Sequence, residues 1–409
     1  MIKKILVSLG CGILILFINW LYQNYDFSLS AEDAFLKKIF LLKDKIHAST
    51  SHCDADILFI NTGKDLALVD DSLDYGNVAV SNREKIYKLV HYIDTTAKKP
   101  RFTVLDIQFY YPYSVNPTID SLMAVELNHN NKILIPVMSD HQGGYKKPLY
   151  GSSFAYAEYR TYGPLFNKFR ILNQSKTLSI PVFTHQALNH VSYKDHFFYA
   201  TMNGRLCLSS IWPSYYIKNS DVITETSQLS DTVRIKSQIN HTTGQPKIKT
   251  GFFNIGEMLL DMEANPASYT DFFNDRLIII GNFEEDIHAT PVGKMFGSVL
   301  LANIYLSLLN GQHLVSLWFF LTLLIVFSLL SYLALFGKMP EIKFNFRFLF
   351  SSYLVKFIRS YVSYFGCLFL LSILVIFIFN VQVGLFLPSL MFTGVEYVRH
   401  KKYKAEEPR

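Results

Sequence analysis

The sequence predicts an α/β extracytoplasmic domain with a largely parallel sheet, plus one N-terminal and about three C-terminal transmembrane helices. Three observations predict it. Hydrophobic residues make up 50% of the 409 residues and charged residues only 18%, against about 25% charged in an average soluble chain. The apolar excess is gathered into long runs near the two ends. Between them, short apolar runs alternate with stretches of helical period, as strands and crossover helices do.

The first apolar run is Ile5–Tyr22, preceded by Lys3 and Lys4. A signal peptide shares that charged start, but no small-residue cleavage pattern closes this run, and Asn19-Trp20-Leu21-Tyr22 ends it instead. Residues 1–23 therefore read as an uncleaved anchor. Leu314–Phe336 and Tyr361–Phe379 carry no charge and are long enough to cross a bilayer. Gly384–Val398 is shorter and holds Pro388 and Glu396, so it reads either as a crossing or as a re-entrant segment. Four crossings bring three basic groups to one side: Lys3 and Lys4; Lys338, Lys343, Arg347, Lys356 and Arg359; and Arg399, Lys401, Lys402 and Lys404. The excess of basic residues on cytoplasmic loops makes that side the cytoplasm. Residues 24–312 then lie outside, 313–398 hold the remaining crossings with a basic loop near 337–360, and 399–409 form a basic cytoplasmic tail. The net charge of +6 is explained by these flanks and implies no nucleic-acid partner. The cytoplasmic stretches are too short for a catalytic domain.

In the middle segment, Ile57-Leu58-Phe59-Ile60 reads as a buried strand. Arg83–Thr96 follows with Ile86, Leu89, Val90 and Ile93 at helical spacing. Phe102–Phe109 is a second strand, Ile119–Leu127 a helix and Lys132–Met138 a third strand, the order that builds parallel sheets. From Asp140 to Thr250 only a helix near Ile180–His190 is legible. Beyond it come a helix over Gly256–Met262, the strand Leu277–Gly281 and an apolar helix over Phe296–Leu309 that stops at Gly311. Of the four cysteines, Cys11 and Cys367 lie in apolar runs. Spacing does not decide whether Cys53 and Cys207 pair, and two separate thiols is the reading taken here.

Several of these stretches, in order, resemble the type-2 CHASE domain, the extracytoplasmic sensory module of bacterial cyclases, histidine kinases and serine/threonine kinases. They are DILFINTG (Asp56–Gly63), the helix-opening Arg83, VLDIQF with Asp106, and Asp120 with Leu122. The closing pattern contains Gly281, Asp286, Thr290, Pro291, Gly297, Ala302 and Asn303. The resemblance covers roughly residues 30–312 and departs from the family at Val80-Ser81-Asn82, where a proline-rich turn is usual, and through the middle section. It implies a sensor in the bacterial inner membrane, multi-pass, with the large domain in the periplasm. The family's cytoplasmic output domain has no counterpart in this sequence, so the expected partner is a separate membrane or cytoplasmic signalling protein, and a homodimer is left open.

The candidate ligand-binding or structural residues are Arg83, Asp106, Asp120, Asp286, Thr290 and Asn303. Asp106 and Asp286 stand at or just beyond the carboxyl ends of strands, where parallel sheets bind ligands. Helix capping or acceptance of backbone N–H groups is the commoner use of such aspartates, and Arg83 is a candidate partner for Asp106. Asp286 and His288 alone do not make a metal site, which needs three or four ligands. No G-x-S-x-G, H-E-x-x-H or phosphate-binding glycine loop occurs. The expectation is thus no catalytic residue, no metal and no cofactor. The function expected is a membrane-anchored sensor or regulator that binds a ligand or protein and relays its state through the transmembrane helices. A hydrolase using Asp106 and Asp286, and a membrane scaffold subunit, are the alternatives.

Overall fold

The computed structural model describes residues 2–24, 32, 35, 38–39, 42–43, 55–70, 77–95, 99–139, 145–157, 166, 168–171, 177–196, 199–219, 236–237, 248–290, 292–337, 352–379 and 381–406. The elements used below begin with α1 (Ile2–Asn24), β1 (Ala55–Asn61), β2 (Leu66–Asp70), β3 (Asn77–Ser81), α2 (Arg83–Thr95), β4 (Phe102–Asp106) and α3 (Pro117–His129). Then come β5 (Ile133–Ser139), β6 (Tyr145–Lys146), β7 (Ser153–Tyr156), α4 (Ile180–Asn189), β8 (Ala200–Met202), β9 (Arg205–Cys207), β10 (Lys236–Ser237), β11 (Ile248–Asn254) and α5 (Ile255–Ala264). Last are β12 (Leu277–Gly281), β13 (Ile287–Thr290), β14 (Gly293–Phe296), α6 (Gly297–Leu309), α7 (Leu317–Phe336), α8 (Ser352–Phe379) and α9 (Phe386–Glu406). The chain forms two compact units. One comprises Ser49–Tyr193 and Ile211–Gly311; the other comprises Met1–Ala48, Lys194–Ser210 and Gln312–Arg409. The segment expected as one extracytoplasmic domain, 24–312, thus contributes two stretches to the helical unit.

The first unit is α/β. Among the described residues its sheet has eight strands in the order β10-β11-β1-β12-β4-β5-β6, with β7 also paired to β5. β11, β1, β12, β4, β5 and β7 run parallel, while β10 and β6 are antiparallel additions. β12 comes last of the parallel strands in sequence but sits between β1 and β4. Its sequence, LIIIG, is buried at every position, as expected for a central strand covered on both faces. On one face, Leu58, Ile60, Leu105, Ile278 and Ile280 share a core with Ile86, Leu89, Val90 and Ile93 of α2, Met123 and Leu127 of α3, and Met258 and Met262 of α5. Residues of opposite parity, Ile57, Phe59, Val104 and Ile279, are buried too. There α4 and α6 pack on each other and against β4 and β12, with Phe102 and Phe183 rings 6.3 Å apart. α6 is buried along its length, consistent with a helix that is apolar all round.

The strand expected over Phe102–Phe109 ends at Asp106. Ile107 N–H turns back to Leu105 C=O at 2.8 Å, and Phe109 leaves the sheet to pack on Tyr150, ring centroids 5.0 Å apart.

The second unit is a helical bundle. Among the described residues three helices are long and apolar enough to cross a membrane: α1, α7 and residues Leu354–Phe379 of α8. α1 lies antiparallel to α7, with Lys4 over the Phe336 ring and Trp20 against Phe320. Gly12 permits their close approach: a Cβ there would stand 2.8 Å from Ser328 N. Among the described residues two C-terminal helices therefore meet the criterion, where about three were expected. The physical reason lies in α9, whose apolar part, residues 386–398, rises only about 20 Å at ~1.5 Å per residue, short of a hydrocarbon core of about 30 Å. Its contacts nonetheless extend along the bundle. Gly384 N, just before α9, donates to Asn19 Oδ1 near the end of α1 (3.1 Å), while Arg399 donates to Gly337 C=O at the end of α7.

The hairpin β8–β9 also belongs to this unit. Asn203 and Gly204 turn it with φ of 49° and 77°, the pair of positive angles that Asn-Gly supplies in two-residue hairpins. Leu208 N–H bonds to His313 C=O (2.8 Å) and Ser209 N–H to Asn24 Oδ1 (2.7 Å), fastening the hairpin to both the lead-in of α7 and the end of α1. Cys207 is a buried free thiol, pushed up to about 12 by burial and then by Asp195. Its considered partner Cys53 lies outside the described residues.

Candidate functional site

The parallel register aligns the carboxyl ends of four strands. Asn254 of β11 stands beside Asn61 of β1, Asn61 beside Gly281 of β12, and Gly281 beside Asp106 of β4. This is the edge at which open parallel sheets bind ligands. Its left half is closed by the Asn61 amide. Nδ2 donates to Asn254 Oδ1 (3.1 Å) and Glu284 Oε1 (3.2 Å), and Oδ1 accepts from Gly63 N (2.8 Å) and Phe283 N (3.1 Å).

The right half gathers titratable groups. Ser298, on the first turn of α6, donates from Oγ to Asp106 Oδ2 at 2.9 Å. Gly281 makes that bond accessible: a Cβ there would lie 2.3 Å from Ser298 Oγ and 3.4 Å from Asp106 Cβ. Asp286, in the loop before β13, pairs with His288 of β13 at 3.0 Å. Its backbone C=O accepts from Gly297 N at 2.8 Å, and its carboxylate lies so close to Gly297 that a Cβ would be 1.8 Å from Oδ2. Burial raises Asp106 to about 7, with the negative charge of Asp286 adding to it and Ser298 and His288 opposing it. His288 is raised, chiefly by its hydrogen bond to Asp286 and against the effect of burial. A carboxyl held protonated to unusually high pH and an Asp286–His288 pair thus stand beside the first turn of a buried helix. Ser298 is fully buried, and its hydroxyl is engaged with the Asp106 carboxyl.

The other sequence candidates fall elsewhere. Arg83 pairs with Asp120, Nη1 to Oδ1 at 2.6 Å, and not with Asp106 as expected. The reason is packing: α2 and α3 lie side by side on one face of the sheet. Arg83 also donates to Tyr111 C=O and is surrounded by the rings of Phe109, Tyr113 and Tyr150 at 5.5–5.9 Å. Asp120 further accepts from Tyr113 N at 2.7 Å. Thr290 closes the β13–β14 turn, donating to Gly293 C=O at 2.6 Å. Asn303 bonds both N–H and C=O of Ile217, each at 2.9 Å, in the manner of a strand neighbour. All four act as structural ties, whereas Asp106 and Asp286 come together with two residues of different history. In the sequence His288 stands beside Asp286 in a stretch that invites a metal or hydrolase reading, and Ser298 carries no signal. Among the described residues no three His, Cys, Asp or Glu side chains converge as metal ligands would. Compared with protein-family models, curated proteins and solved structures, the chain matches none.

Proposed function

We propose that this is a membrane-anchored sensory protein whose α/β domain lies outside the cytoplasm, of the kind represented by type-2 CHASE domains, and that it reports to a separate signalling partner. The observation that carries the reading is the position of Ser298. It ties the strand-end cluster to the first turn of α6, and the chain passes from the end of α6 through residues 310–316 into α7, a helix of membrane-spanning length. An event that changes the cluster acts on α6, from whose end the chain runs on to α7. Such a relay requires a ligand that distinguishes two states energetically.

The same reading takes α9 as a fourth crossing. It is supported by the contacts of α9 from Asn19 to Gly337, and by the pairing of Ser360 Oγ with Glu396 at 2.5 Å beside the basic residues Arg359 and Arg399. Four crossings put the basic flanks on the cytoplasmic side.

The test is to solubilise the full-length protein from its native membrane, as wild type and as Ser298→Ala, and to identify what copurifies. A signalling enzyme or transporter subunit recovered with the wild type, in changed yield with Ser298→Ala, is the expected result. A partnerless protein in both preparations overturns the relay.

A further inference from the structure

We propose that the ligand of the strand-end cluster is the proton: Asp106, tied to Ser298 and set beside the Asp286–His288 pair, changes charge and thereby sets the position of the first turn of α6. The inference rests on the sensory reading above and names what is sensed.

The geometry supplies both the sensing group and its lever. The charged groups acting on Asp106 are Asp286, from the loop before β13, and His288, from β13. The neighbouring strand end contributes Gly281, which has no side chain, and α6 contributes the hydroxyl of Ser298. Asp106 thus faces one like charge and one imidazole, with neither a lysine nor an arginine among the described groups acting on it. A carboxyl in such a place holds its proton to unusually high pH, because burial and a like charge both oppose ionisation, and its raised value lies near neutrality.

Ionisation has two mechanical consequences. The Ser298–Asp106 bond becomes charge-assisted and shortens, drawing on the first turn of α6. At the same time the new charge repels Asp286, whose C=O holds Gly297 N and whose carboxylate rests against Gly297. Both effects converge on Gly297 and Ser298. By linkage, a partner that shifts α6 must also shift the affinity of the cluster for its proton.

The experiment uses full-length protein in lipid nanodiscs. Infrared difference spectra taken across a pH series read the carboxylic acid C=O band, and hydrogen exchange, corrected for intrinsic rate, reads the first turn of α6 over the same series. The expected result is an acid band titrating near neutrality, lost in Asp106→Asn, with α6 exchange changing over the same pH range in the wild type alone. Asp286→Asn removes the like charge and should move the midpoint down, which keeps the test alive if Asp106→Asn does not fold. A band that titrates only in the ordinary carboxylate range, or α6 exchange indifferent to pH, overturns the proton as ligand. If the Ser298-dependent partner is still recovered, the sensory reading survives that failure; if no partner is recovered, the sensory reading fails whatever the titration shows.

Discussion

Arg83→Met separates the structural and ligand-binding uses of the most buried charge in the α/β unit. Arg83 is 1% exposed, and its guanidinium meets Asp120, Tyr111 C=O and three aromatic rings. Methionine keeps much of the packed volume, so the loss is mainly electrostatic. Removing one partner of a buried ion pair costs about 3–5 kcal/mol, because the other charge is left without compensation. Asp120 retains the Tyr113 N–H, which brings the expected cost to the lower part of that range, about 3 kcal/mol. Converting Asp120→Asn in the Arg83→Met background removes the stranded charge and keeps an acceptor for Tyr113, so the double variant should be more stable than Arg83→Met alone. The assay is pulse proteolysis of full-length protein in detergent across a urea series, with hydrogen exchange of α2 and α3 locating the loss. A cost for Arg83→Met below about 1 kcal/mol, or single costs that simply add in the double variant, would refute the reasoning and return Arg83 to the list of ligand-binding residues.

Two further outcomes are expected. Asp106 is raised in the folded state to about 7, so between the unfolded carboxyl value of about 3.9 and that pH the native protein holds a proton the unfolded chain has lost. Its contribution is therefore present at low pH and declines as pH rises through this window, by at most about 4 kcal/mol. The raised His288 loses its contribution in the same direction. Urea midpoints for the α/β unit should fall from mildly acidic to mildly alkaline pH, and Asp106→Asn should flatten the fall; a rising profile would contradict the assignment. In the bundle, Gly12→Val drives side-chain atoms into the Ser328 backbone. Membrane helices depend on such small residues for close approach, so cross-linking between cysteines placed on α1 and α7 should drop several-fold, and unchanged cross-linking would show that the helices are not held this closely.

The parts of the fold legible in the sequence are those whose own period decides them. Ile57–Ile60 and Leu277–Gly281 are uninterrupted apolar runs, and Ile86, Leu89, Val90 and Ile93 recur at helical spacing, so each declares its partner face without knowledge of the rest. β11 was missed because Lys249, Thr250 and Gly251 interrupt IKTGFFN. It is a strand because β1 is available to pair with it along its whole length, a tertiary cause that outweighs weak local preference. The β8–β9 hairpin does have a local signature, since Asn203-Gly204 is a strong short-range turn signal, but the strands around it are too short for a period to order them. α9 divided the reading for a different reason. Apolar length measures the cost of crossing lipid, whereas the extent of a helix is set by its backbone and by neighbours such as Asn19 and Gly337.

The candidate site shows why single residues were found and their assembly was not. Asp106 and Asp286 each announced themselves as carboxylates near strand ends. Ser298 did not, since a serine in an apolar helix usually bonds the carbonyl one turn back, as Ser307 does with Asn303 at 2.8 Å. Ser298, at the start of α6, reaches Asp106 through the space left by Gly281, which lies next to Asp106 only because β12, last of the parallel strands in sequence, inserts between β1 and β4. Strand order is a property of the whole sheet, and no local pattern encodes it. That Arg83 pairs with Asp120 and not with its other candidate partner, Asp106, has the same origin. Arg83 lies on a helix and Asp106 on a strand, but the choice of partner depends on which faces meet, and α3 packs beside α2 with Asp120 against Arg83. Asp106 thus has no Arg83 partner, and a carboxyl desolvated beside the charge of Asp286 stays protonated to higher pH. The property that makes the cluster a candidate for sensing thus follows from a pairing decided elsewhere in the core.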